Sequence, residues 1–274
     1  WLFAFFNYYG KKFFQRALIL PLAVRPYLLA YVFTEFFDFS GTANNILRNL
    51  FNTQSDVIFF PNIRTITGAI MVFGFTLYPY VYMISRVAFM NIPASVIEAS
   101  SLLGKNSIST FFSLSIPLIR PAIIAGVALV AMETLADFGA VQHFAIRTFT
   151  TGIFRTWTGL YDLNTALQLS TMLLLVIFIF LSVERASRSK IRYVNSVTTN
   201  NSFKPIRLMR LKSTAAFLIC FTPVFIGFFL PVLELINWSS QVDILVSSKI
   251  FLAASNTLYI SLSAAVLTLS LIHI

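Results

Sequence analysis

The run TMLLLVIFIFLSV, Thr171 to Val183, holds no charge, no proline and no glycine. It is apolar on every face. A half-buried strand alternates with period two, and a surface helix leaves a polar stripe. Neither pattern is present. A strand of a transmembrane barrel alternates over ~10 residues, which this run also fails to do. Continued back to Ala166, the stretch approaches the ~20 apolar residues that carry a helix across a bilayer core.

Five further runs read the same way: Ala17–Phe36, Ile66–Phe89, Leu114–Leu135, Ala215–Ile236 and Phe251–Leu271. Trp1–Tyr9 reads as the tail of another span. Composition agrees. Of 274 residues 57% are hydrophobic and 11% charged, and the mean hydropathy is +0.80. Soluble domains carry about 25% charged residues. The predicted fold class is an all-α polytopic transmembrane bundle.

The net charge of +10 is concentrated. Eight of the twenty Lys and Arg lie between Arg185 and Lys212, and Lys11, Lys12 and Arg16 precede the first full run. Asp38, Asp56, Asp137, Asp162 and Asp243 lie in the alternate connections. Basic connections stay in the cytoplasm. The connections at 10–16, 90–113 and 185–213 therefore face inside, and those at 37–65, 137–165 and 237–250 face out. This placement excludes nucleic acid as the reason for the charge. Cys220 is the single cysteine, so no internal disulfide forms.

Residues 185–213 are basic and rich in Ser and Asn. They read as a cytoplasmic linker between a first bundle, 1–184, and the start of a second, 214–274. Both ends of the chain fall inside apolar sequence. The closing LSLIHI, 269–274, is expected to be the translation of a library adapter, which leaves no role for His273.

Between the second and third runs stands VIEASSLLGKNSISTFFSLSIPLIRPAI, Val96 to Ile123. Pro93 ends the preceding span. Ser95 and Glu98 have the spacing of a capping box, with Glu98 in the first turn of a helix dipole. Ala99, Ser100 and Ser101 are small and admit a close neighbour. Gly104 breaks the helix, 105–107 start a second, and Ile116-Pro117 lead back into the membrane. A short helix, a glycine turn and a second helix on the cytoplasmic face form a docking surface.

The same residues resemble the cytoplasmic loop of ABC importer permeases, E-A-A-x3-G-x9-I-x-L-P. Here it reads Glu98-Ala99-Ser100, Gly104, then Leu114-x-Ile116-Pro117, with the spacing intact and three mild replacements. LPLAVRPYLLAYVFTEFFDFSG (Leu20–Gly41), LYPYVYMISRVAF (Leu77–Phe89) and METLADFGAVQHFAIRTFTTGIFRTWTG (Met132–Gly159) resemble the fused ferric iron permeases of that family, over about Phe13 to Arg185. Arg25 departs from the family's apolar pattern; at that depth an arginine snorkels or faces a cavity.

The resemblance implies a multi-pass permease of the bacterial inner membrane. Its loop, shaped by Glu98, Ala99, Ser100, Gly104, Ile116 and Pro117, would be the coupling helix seated in a groove of a cytoplasmic ATPase dimer. A periplasmic substrate-binding protein would dock outside, where Arg147, Arg155 and Trp157 meet its acidic rim or lipid headgroups. No cofactor would belong to this chain, and ATP would be used by the partner. LLGKNS (Leu102–Ser107) is no phosphate loop, since position 100 is Ser and Lys105 precedes Asn106. No HExxH, GxSxG or paired-cysteine motif occurs, so the chain reads as a transport subunit and not an enzyme.

Two sets of residues qualify for a translocation path. Glu133 and Asp137, four apart on one helix face, suit a hard cation, or else serve helix packing and the interface. Tyr78, Tyr80 and Tyr82 around Pro79 offer phenol oxygens, or simply pack. His143 beside Gln142 is weak evidence for a metal. The cargo is predicted to be ferric iron. Thiamine, a polyamine or an oxyanion stay open, as does a proton-coupled carrier, against which the Glu98–Pro117 loop speaks.

Overall fold

The computed structural model describes residues 1–52, 60, 62–189, 206–241 and 248–273. Among them five helices are long and apolar enough to cross a membrane: Ile66–Met90, Ser107–Ala136, Leu163–Arg185, Arg210–Ser240 and Ile250–Ile272. The pair Lys11–Ala23 and Pro26–Phe51, bent by 89°, passes the same test only when taken together, as a broken span or a re-entrant loop. The fold is the all-α polytopic bundle expected. Two compact units divide it, Trp1–Val232 and Leu233–Ile274.

The first unit opens with one helical turn, α1 (Leu2–Phe5), and a two-residue strand, β1 (Phe6–Asn7). So 1–9 is not a continuous helix. Trp1 packs on Phe89 and Phe111, at ring distances of 6.1 and 5.4 Å, against the inner ends of later spans. β1 pairs in parallel with β2 (Ile206–Arg207), which lies near the end of the basic linker. The linker's residues 190–205 lie outside the described residues.

The run Ala17–Phe36 is not one helix. α2 (Lys11–Ala17) and a 3-10 turn, Leu20–Ala23, are followed by a break and then α3 (Pro26–Phe37). Pro26 lacks an N–H and forces the residue before it out of helical geometry. Arg25 accordingly takes φ −65°, ψ 145° and leaves its side chain exposed. After α4 (Thr42–Phe51), the span α5 (Ile66–Met90) runs inward through Pro79.

α6 (Ala94–Leu102) is followed by α7 (Ser107–Thr110), a π-turn over Phe111–Ser115, and α8 (Ile116–Ala136). The last three form one helix 30 residues long. The second loop helix predicted from 105–107 is therefore the inner end of a span. α5 and α8 pack closely, because at Gly126 a Cβ would stand 2.7 Å from the Val81 Cα. Small residues let membrane helices approach to that distance.

After α8 come α9 (Gly139–His143), α10 (Phe149–Phe154), a π-turn over Arg155–Gly159, and α11 (Leu163–Ser189). Leu29, Ala30 and Phe33 of α3 meet Val72, Phe73 and Leu77 of α5 and Ala140, Val141 and Phe144 around α9 in the main core. α12 (Arg210–Val224) packs Ala216, Cys220 and Val224 against Tyr8, Phe14, Ala17 and Leu18. A π-turn, Phe225–Phe229, continues it. Within that turn a Cβ on Gly227 would come 2.5 Å from the Phe75 carbonyl. Pro79 cannot donate to that carbonyl, so a gap in the α5 ladder and a bare backbone meet. α13 (Leu230–Gln241) begins in the first unit. In the second, the described side chains of α14 (Ser248–His273) are exposed along its length.

Candidate functional site

The loop after α5 is tied down at its base and bare at its tip. Ile97 is buried in a cluster with Phe5, Phe6, Phe89 and Ile119. The Ser100 and Thr110 hydroxyls, both buried, lie 2.8 Å apart and pin α6 to α7. α6 ends in a left-handed turn at Gly104, φ +75°. The Gly104 N–H donates to the Ser101 carbonyl and the Lys105 N–H to the Ser100 carbonyl. These are the two bonds of a Schellman motif, whose left-handed position favours glycine. Asn106 then caps α7 by accepting from the Ser109 N–H at 2.7 Å.

The capping box predicted at Ser95 and Glu98 does not form. α6 starts earlier, after Pro93, and no side chain caps it. The fixed φ of Pro93, −59° here, leads into the helix, which places Ser95 inside the first turn and Glu98 beyond it. Glu98, Ala99 and Gly104 are exposed, whereas Ser100 is buried. Ile116 is half-buried and Pro117 exposed in the first turn of α8. Leu102, Leu103, Ile108 and Phe112 are 64 to 89% exposed. A tethered loop thus presents an apolar surface flanked by Glu98 and Lys105. Exposed apolar groups gathered in this way mark an interaction surface.

The predicted path residues separate. Glu133 is exposed on α8 and within electrostatic reach of Tyr80. Asp137 does not share its helical face, because α8 stops at Ala136 and Asp137 is extended. Its carboxylate accepts from the Ala140 and Val141 N–H groups at 2.9 and 3.2 Å and starts α9. Burial raises its carboxyl above the usual range, and those two N–H groups hold it back. Tyr78 packs with the Tyr8, Phe14 and Cys220 cluster, and its hydroxyl is buried. Tyr82 joins the same cluster, while Tyr80 packs on the main core.

A constellation that the sequence reading passed over stands at the outer end of α3. His143 Nε2 lies 3.0 Å from the Thr34 hydroxyl. The rings of Tyr27 and Tyr31 stand edge-on to the imidazole at 6.1 and 5.7 Å. Burial and Arg64 push His143 below the usual imidazole range, and Glu35 acts the other way. Tyr27, Tyr31 and Glu35 are four apart in sequence, so they share a helix stripe, a signal already visible in the sequence. Its meeting with His143 was not. Arg147, Arg155 and Trp157 are exposed in the neighbouring segment.

The family model "Binding-protein-dependent transport system inner membrane component" matches residues 1–193. The chain belongs to that family. As an inner membrane component of this kind it is similar to the Fe(3+)-transport system permease protein FbpB 2 of Haemophilus influenzae. The two are 27% identical over 271 residues, 96% of this chain and 48% of that protein. It is also similar to the molybdenum transport system permease protein ModB of the same organism, at 26% identity over 53% of this chain and 60% of that one. A third relative is the sn-glycerol-3-phosphate transport system permease protein UgpA of Shigella dysenteriae, 27% identical over 67% of this chain and 65% of that one. The chain thus spans about half to two thirds of the length of these curated relatives.

Proposed function

We propose that this chain is the membrane permease of an ATP-driven importer, and that α6 with its Gly104 turn is where an ATPase subunit takes hold. One observation carries the reading. A helix with an exposed apolar tip is locked at its base by Ile97 and the Ser100–Thr110 bond. A rigid lever is what transmits closure of a nucleotide-binding dimer to membrane helices. Glu98, Ala99 and Gly104 form its outer surface, Ser100 its anchor, and Ile116-Pro117 its junction with the span. Substrate would arrive on a binding protein outside. ATP would be bound and cleaved by the partner, and this chain would make and break no covalent bond.

Ferric iron is the cargo this reading favours. The ferric permease matches nearly the whole chain, whereas the molybdenum permease matches about half. An oxyanion cargo has one observation of its own, the exposed Arg25 at the break in the first span.

The test is uptake of radiolabelled ferric iron by the complete transporter in vesicles, with Gly104→Val as the probe. Valine is strained at φ +75°. Uptake should fall at least tenfold while the complex still assembles and hydrolyses ATP. Normal uptake by the variant would sink the coupling assignment. Uptake of molybdate in place of iron would move the cargo to the oxyanion reading.

A further inference from the structure

We propose that Tyr31, Glu35 and His143 form a ferric-ion subsite at the outer mouth of the bundle, the first protein ligands the cargo meets in the permease. This rests on the ferric reading above.

Donor chemistry comes first. Phenolate and carboxylate oxygens are hard ligands and imidazole is a borderline one, a set matched to a hard trivalent ion. Tyr31 and Glu35 lie one helical turn apart on α3, a spacing that lets two side chains reach one ion. The third donor comes from α9, which is close enough that a Cβ on Gly139 would lie 3.1 Å from the Tyr27 Cβ.

The tautomer of His143 follows from its neighbour. The Thr34 hydroxyl donates its single proton to the Ala30 carbonyl at 2.8 Å. Its oxygen must then accept from His143, so Nε2 carries the ring proton. Nδ1 is left with its lone pair. A second hydrogen bond that fixes ring and tautomer is how proteins prepare a histidine ligand. The Tyr27 and Tyr31 rings hold the imidazole edgewise.

Position agrees. Tyr31 and Tyr27 are 43 and 52% exposed, on a helix whose other face is buried in the main core. A cavity of about 290 Å³ bounded by Thr34, Asp38, Asn62 and Arg64 adjoins the same end of α3. Coordination displaces the phenol proton of Tyr31 to water. Tyr27, one turn deeper, is the next oxygen donor along the stripe.

The experiment uses the complete transporter in lipid nanodiscs, titrated with ferric nitrilotriacetate. Iron bound to a phenolate gives a visible charge-transfer band. The wild-type protein should develop the band. Tyr31→Phe, which keeps the ring, should abolish it, and Tyr78→Phe should retain it. Loss of even an outer-shell partner typically costs 10–100-fold in metal affinity, so Glu35→Gln, which removes a charged ligand oxygen, should weaken ferric binding by at least about tenfold. Absence of the band in the wild type, or its persistence in Tyr31→Phe, overturns the subsite. Ferric uptake without any band removes the subsite and leaves the cargo reading standing. A band without uptake supports the subsite as a ferric ligand set and removes the cargo reading.

Discussion

Gly126 is where α5 and α8 touch, and its replacement by alanine has a calculable cost. The added Cβ would lie 2.7 Å from the Val81 Cα, 3.3 Å from its Cβ and 3.4 Å from its Cγ2. Carbon atoms rest at about 3.5–4.0 Å, so α5 and α8 must part by roughly 1 Å at their crossing. The nearest obstacle is backbone, which no rotamer change removes. A gap of ~0.5–1 Å forfeits a quarter to a half of each facing contact, and overpacking typically costs ~1–3 kcal/mol. Alanine regains about 1 kcal/mol of helix propensity over glycine. The net expectation is a loss of up to about 2 kcal/mol, or at most roughly thirtyfold in the folding equilibrium. Gly74, on the same span, has open space around its would-be Cβ. Gly74→Ala is therefore the control and should be neutral or stabilising. Unfolding of the purified protein in mixed micelles by rising SDS, followed by circular dichroism, measures both. If Gly126→Ala proves as stable as Gly74→Ala, the α5–α8 crossing is wrongly placed.

The Ser100–Thr110 pair gives a second test, because both hydroxyls are buried. Ser100→Ala should cost about 1–2 kcal/mol by stranding its partner, and adding Thr110→Val should recover most of it; additive losses in the same unfolding assay would refute the pairing. At Asp162, the Thr165 hydroxyl and N–H hold the carboxylate below its ordinary pKa. A depressed carboxyl adds stability that is intact above the ordinary range and lost as the pH falls through the folded value. Thr165→Val should raise the Asp162 titration seen by carboxyl NMR, and an unchanged curve would show that the Thr165 hydroxyl does not donate to this carboxylate.

Several features of this molecule are local and were legible without coordinates. The run at Thr171–Val183 can satisfy its backbone in lipid only as a helix. Gly104 marks a turn because glycine reaches left-handed φ without strain. Local rules also misled where two of them competed. Ser95 has the residue type and spacing of a cap, yet Pro93 begins the helix first. Glu133 and Asp137 have the spacing of one helix face, yet the helix ends between them.

What the sequence determined by itself was therefore the all-α class and the five long apolar helices. Each follows from how a short stretch partitions between water and lipid. Tertiary structure alone decided the approach at Gly126 and the meeting of His143 with Thr34, 109 residues away in the chain. Such contacts depend on how helices dock. Docking is governed by close packing between distant surfaces, which no local pattern of hydrophobicity encodes.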